Sequence, residues 1–171
     1  MKIFSSPIQC SSRSERRPKE IETVTQLVAR AFGPGAELRH TDEGRPYIDG
    51  RDDVYISISH CADICLLAVS DTPVGIDAET ARDQFLGIAH KFLTQGEMAR
   101  APHSLTTLMR LWAAKEAVFK CASIPGLVIS EIEISESMDY ACARGRRFGI
   151  RFTDSTPHLA VAIATPIPDT L

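Results

Sequence analysis

Leu111-Trp112-Ala113-Ala114-Lys115-Glu116-Ala117-Val118-Phe119-Lys120 is the stretch on which the reading of the chain turns. It contains good helix formers and neither Gly nor Pro, and Leu108 and Ala122 extend its apolar pattern, so it predicts a helix. At about 100° per residue, Leu111, Trp112, Val118 and Phe119 make one stripe. Lys115 falls inside that stripe, and Glu116 and Lys120 lie one turn apart along its edge. An amphipathic helix ordinarily keeps its charges on the opposite face. Three charges on or beside the buried side require compensation. Taken alone, the helix also accommodates an exposed Glu116–Lys120 pair with a snorkelling Lys115.

A second stretch upstream, Val74-Gly75-Ile76-Asp77-Ala78-Glu79, alters that balance. Read as a strand, it puts Asp77 and Glu79 on one face. Two adjacent carboxylates repel, and a third from Glu116 adds to the repulsion. A hard cation such as Mg²⁺ explains such a set best, since it takes oxygen ligands and leaves room for a phosphate.

Gly-Ile-Asp-x-Glu followed by Trp-Ala-x-Lys-Glu-Ala-x-x-Lys resembles the 4'-phosphopantetheinyl transferase superfamily, of the two-half, surfactin-synthetase-activating type. Smaller matches are Gly44-Arg45-Pro46, Ser57-Ile58-Ser59-His60 and Lys91-Phe92-Leu93-Thr94-Gln95-Gly96-Glu97. With motifs, the resemblance covers roughly Ala36 to Lys120. It implies an α+β fold of two similar halves packed as a pseudo-dimer, approximately residues 1–80 and 81–171 of one compact unit. It also implies a metal site of Asp77, Glu79 and Glu116, with Mg²⁺ or Mn²⁺ as the ion. Arg45 and Pro46 are expected against the adenine end of coenzyme A, and Ser59 and His60 on its phosphate oxygens. Where the family has Gly-Lys-Pro this chain has Arg45, a planar fork in place of a point charge. Cys61 stands where the family often has Ser, so one hydroxyl donor is absent.

The composition agrees with a soluble globular protein. The chain has 171 residues, enough for one sizeable core or two small packed halves. Its net charge of −3 argues against a nucleic-acid binder and leaves phosphate binding to a local basic cluster. The five cysteines, Cys10, Cys61, Cys65, Cys121 and Cys142, form no CxxC pair and read as reduced core thiols of a cytoplasmic protein. No apolar run reaches the roughly 20 residues of a membrane helix, and no signal-peptide core follows Phe4.

Met1 to Phe4 reads as a short strand, and Glu20 to Phe32 as a helix with Ile21, Val24, Leu27, Val28, Ala31 and Phe32 on one face, stopped by Gly33-Pro34-Gly35. The basic run Arg13, Arg16, Arg17 and Lys19 before it suits a solvated helix start or a phosphate contact, with no residue singled out. Ala36 to His40 is a strand. Val54 to Ser59 alternates as a half-buried strand, and Ile64 to Ser70 pairs with it as a hairpin. Asp83 to Lys91 is helical, and Thr94-Gln95-Gly96-Glu97 has the form of a capping box, giving Glu97 a structural role. Pro102 and Ser104 precede the central helix. Strands are expected at Leu127 to Ile134, Asp139 to Ala143, Phe148 to Thr153 and Leu159 to Ala164, with a turn at Asp154-Ser155-Thr156-Pro157 and a loose tail from Pro166.

The implied reaction moves the 4'-phosphopantetheine arm of coenzyme A onto a serine hydroxyl of an apo acyl or peptidyl carrier protein and releases adenosine 3',5'-bisphosphate. Such a reaction must neutralise phosphate charge, align the attacking alcohol and take its proton. Glu116 is the candidate base, although a tight metal ligand cannot also be a free base. Lys120 would stabilise charge on the phosphates or the leaving group, Lys115 would bind phosphate, and Trp112 packs in the core. A monomer is expected. Two rival readings are a metal-dependent phosphodiesterase and a non-catalytic module that binds coenzyme A or a carrier protein.

Overall fold

In chain order the elements are β1 (Lys2–Pro7), α1 (Arg16–Phe32), β2 (Leu38–His40), β3 (Pro46–Ile48), β4 (Tyr55–Cys61), β5 (Ile64–Ser70), β6 (Gly75–Thr80), α2 (Gln84–Phe92), α3 (Gln95–Ala99), α4 (Leu105–Ala122), β7 (Glu133–Ile134), β8 (Tyr140–Ala143), β9 (Arg146–Thr156) and β10 (Leu159–Pro166). The computed structural model describes residues 1–61, 63–100 and 103–168, with only the backbone of Asp154. Pro102 and the last residues of the tail lie outside the described residues. The fold is α+β, as expected. Three antiparallel sheets run β1-β5-β4, β6-β10-β9-β8-β7 and β2-β3.

Helix α1 covers the first sheet through Leu27 and Val28, which pack with Ile56, Cys65 and Leu67. Helix α4 covers the second and is buried almost all round, from Leu108 to Ala122. Each of these two sheets is thus covered on one face by a helix. Strand β6, which ends at residue 80, pairs not with the first sheet but with β10 in the second, Asp77 opposite Ala162 and Glu79 opposite Ala160.

The glycine of Gly-Ile-Asp-x-Glu has a steric cause. A Cβ on Gly75 would lie 1.9 Å from the Ala117 carbonyl oxygen and 2.8 Å from the Cys121 amide nitrogen. Only a residue without a side chain lets α4 cross β6 in backbone contact. That crossing brings Glu116 and Lys120 over Asp77 and Glu79.

Strand β6 is held on its other side by side chains. Ile76 N–H donates to Ser57 Oγ at 3.0 Å and Ala78 N–H to Ser59 Oγ at 3.1 Å. Ser57 and Ser59 are therefore buried, and the polar face of β4 is an internal seam that satisfies amides which would otherwise be unpaired.

Several expectations are corrected. Leu127 to Ile134 is a 3₁₀ turn at Ile129–Glu131 followed by the short β7, since the acidic segment is tied down by Arg144 on Glu131. Strand β9 runs on to Thr156, through the expected turn. Ile21 is exposed at the mouth of a cavity, not packed on the sheet. Of the cysteines only Cys61, Cys65 and Cys121 are buried, with Cys142 exposed. Burial pushes the Cys61 and Cys65 thiols up to about 11 and Cys121 up to about 12, which keeps them unreactive. Trp112 packs edge-on against Phe92 at 5.1 Å, as core packing predicts. Among the described residues no helix is long and apolar enough to cross a membrane.

Candidate active site

The C-terminal turn of α4 lies against β6, and Lys120 reaches into the seam between β4 and β6. Its ammonium donates to Asp77 Oδ1 at 2.7 Å, to the Ile76 carbonyl at 3.1 Å and to the Ile58 carbonyl at 3.3 Å. Ser59 Oγ donates to the same Asp77 oxygen at 2.9 Å. The other carboxylate oxygen, Oδ2, is buried with no hydrogen-bond partner among the described residues. Burial raises the Asp77 carboxyl above its ordinary value, against the pull of Lys120 and Ser59. An unsatisfied buried carboxylate oxygen is costly, and a water, an ion or a bound group is what relieves it.

The charge of Asp77 acts on two further carboxylates. Glu116 is half-buried and its side chain makes no hydrogen bond among the described residues; its carboxyl is raised first by burial, then by Asp77, with Lys120 opposing. Glu79 is raised by burial and by Asp77, while Arg82 opposes from 2.6 Å. Nevertheless no group of three or more His, Cys, Asp or Glu among the described residues is placed to hold a metal ion. As they stand, Asp77 is turned to Lys120 and Glu79 to Arg82, each compensated by a cation of the protein. The donors still fit a hard cation: all are carboxylate oxygens, Asp77 disfavours the ionisation of both glutamates, and Asp77 Oδ2 lacks a partner among the described residues.

A cavity of about 950 Å³ opens beside Asp77 and Lys120. Its wall includes Arg45 and Pro46 from the β2–β3 hairpin, Ser59 and His60 from β4, and Arg17 and Glu20 from α1. Phe119, 42% exposed, and Ile21, 56% exposed, give it an apolar side. Arg45 also stacks over Tyr55, 5.5 Å from the ring centre.

The structure thus brings Arg45, Pro46, His60, Asp77 and Lys120 to one cavity, with Glu79 and Glu116 electrostatically coupled to Asp77. One expectation fails. Lys115 cannot bind phosphate: it is fully buried, paired with Glu97 at 2.8 Å and donating to the Ile132 carbonyl. Burial pushes its ammonium below the ordinary value. Ser59 lines the cavity, as expected of a phosphate contact, and here gives its hydroxyl proton to Asp77.

Sequence reasoning missed Glu20 and did not single out Arg17. Glu20 follows Arg16 and Arg17 at the i+4 and i+3 spacings that pair charges on a helix, a signal masked by the apolar pattern around it. Glu97 takes the structural role expected, closing the capping box with Thr94.

An acidic strand is thus crossed in backbone contact by a Lys-Glu helix, beside a cavity whose wall carries Arg17, Arg45, His60 and Lys120 together with Glu20, Glu43 and Asp77. The family model of the 4'-phosphopantetheinyl transferase superfamily matches residues 73–158, and the chain belongs to that superfamily. The matched segment contains Asp77, Glu79, Glu116 and Lys120. The chain is 30% identical over 102 residues to the 4'-phosphopantetheinyl transferase AcpT of Salmonella typhi, covering 55% of this chain and 53% of that protein. It is 31% identical over 107 residues to a 4'-phosphopantetheinyl transferase of Bacillus subtilis, covering 58% of this chain and 48% of that protein. The chain thus spans about half the length of the curated relatives it matches.

Proposed function

We propose that the chain transfers the 4'-phosphopantetheine group of coenzyme A to a serine hydroxyl of an acyl or peptidyl carrier protein. The observation that carries this reading is the unpartnered Asp77 oxygen beside Lys120, at the wall of a cavity with Arg45 and His60. The cavity suits a ligand of coenzyme A size, with cations for its phosphates and an apolar side for its base.

The serine oxygen forms a bond to the pyrophosphate phosphorus next to the pantetheine arm, and the bond from that phosphorus to the bridging oxygen breaks. The serine proton passes to Glu116, whose carboxyl burial raises above its ordinary value and so makes a stronger proton acceptor. Lys120 stabilises the leaving adenosine 3',5'-bisphosphate by giving up one of its protein acceptors. His60 and Arg45 bind phosphate and nucleotide, and Ser59 fixes Asp77. Asp77, and Glu79 once Arg82 releases it, would hold Mg²⁺ or Mn²⁺, which would supply charge neutralisation on the pyrophosphate while Glu116 stays free as the base. Two similar halves complete the site within a monomer acting in the cytoplasm.

The test is incubation with coenzyme A, Mg²⁺ and a panel of apo carrier proteins, read by mass spectrometry. The expected result is a gain of the phosphopantetheine mass, lost with EDTA and with Asp77→Ala. Coenzyme A binding without transfer to any carrier would favour a binding-only module. Neither binding nor transfer would overturn the reading.

A further inference from the structure

The cavity contains an acidic side chain that the proposed chemistry does not use. Glu20, on α1, lies 7% exposed in the wall. A bare carboxylate there would repel a phosphate. Glu20 is not bare. Its Oε1 takes Arg16 Nε at 2.9 Å and lies 3.5 Å from His60 Nδ1, and its Oε2 is 3.9 Å from Arg17. Three basic side chains from α1 and β4 thus converge on one buried carboxylate.

We propose that Glu20 is a positioning residue that assembles Arg17 and His60 into one anion-binding wall. Two physical arguments support it. Basic groups gathered this closely would repel one another and lose order without a counter-charge between them. A ring whose Nδ1 is directed at a carboxylate keeps one orientation and presents Nε2 elsewhere. Arg17, 77% exposed, and His60, 37% exposed, keep solvent-facing surface for a ligand while Glu20 is covered. The choice of coenzyme A as the anion rests on the transferase reading; the wall itself rests on the geometry alone.

The test is calorimetric titration with coenzyme A and separately with inorganic pyrophosphate, using wild type, Glu20→Gln, Arg17→Ala, His60→Ala and the Glu20→Gln/His60→Ala double variant. Glu20→Gln is expected to weaken coenzyme A binding about tenfold. In the His60→Ala background the same change should fall to about threefold or less, because a residue acting through another loses its effect when that partner is absent. Arg17→Ala, a change at an exposed side chain, should weaken binding about fivefold and reports on the wall should Glu20→Gln fail to fold. Unchanged or tighter binding in Glu20→Gln, or an undiminished effect without His60, overturns the proposal. Pyrophosphate binding that depends on Glu20 without any coenzyme A binding upholds the wall and overturns the transferase reading. Binding of neither ligand overturns both.

Discussion

Helix α4 carries two lysine–carboxylate pairs of almost equal length and opposite character. Lys115 meets Glu97 at 2.8 Å, and Lys120 meets Asp77 at 2.7 Å. In the first, both side chains are essentially inaccessible and every acceptor is used. Glu97 Oε2 also accepts from Thr94 N–H at 2.8 Å, and Oε1 accepts from Ile134 N–H at 2.8 Å. That pair ties α3, α4 and β7 together and has nothing left for a ligand. In the second, Lys120 is 29% exposed and Asp77 keeps one oxygen without a partner. A saturated buried pair is architecture, and an unsaturated one at a cavity is a site. The number of satisfied groups distinguishes them where charge, spacing and distance do not.

The largest effect that would break this contrast is at Lys115. Lys115→Ala leaves Glu97 buried and uncompensated, and should cost about 3–5 kcal/mol of stability by urea denaturation. Lys115→Met with Glu97→Gln should recover most of that loss, as an architectural role requires. If Lys115→Ala folded normally and lost only coenzyme A binding, the contrast would fail.

Gly75→Ala comes next. The added methyl meets the Ala117 carbonyl and must push α4 off β6, at an expected cost of about 1–3 kcal/mol. Activity should fall further than stability, since the shift separates Glu116 from Asp77. Thermal unfolding beside transfer assays would show whether the crossing sets the geometry of the site.

Asp77→Asn keeps the shape of the side chain and removes its charge. Transfer should drop about a hundredfold or more, while the unfolding midpoint stays within a few degrees. An equal loss at Lys115→Met/Glu97→Gln would show that both pairs serve the chemistry.

The smallest effect sharpens the comparison from the stability side. Glu116→Gln should raise the melting temperature by about 3 °C in EDTA at neutral pH, while transfer is lost. The sign follows from its raised carboxyl. Ionisation costs the folded chain stability as pH rises through the raised value, so the gain should shrink when pH is lowered below the ordinary carboxylate range. A destabilised Glu116→Gln would mean that the carboxylate is already compensated.

Much of this was legible in the residues. Local pattern predicted α4, the hairpin of β4 and β5, the capping box and the acidic strand, because each rests on interactions only a few residues apart. It also put Asp77 and Glu79 on a common strand and Glu116 and Lys120 on a common helix. What it misread depended on distant partners. The serine face of β4 reads as solvent-facing until β6 is laid against it, and Lys115 reads as a phosphate ligand until Glu97 arrives from α3. Glu20 read only as the start of a helix, because His60 lies on a strand far along the chain.

The sequence by itself determined the helix and strand that bear the charges, the glycine that lets them touch, and the family to which they belong. These follow from short-range sterics and from side-chain chemistry that a linear pattern records. Tertiary structure alone decided which of two neighbouring lysines is sealed and which is open. Burial and hydrogen-bond saturation depend on what packs around a side chain, and no spacing along the chain encodes that.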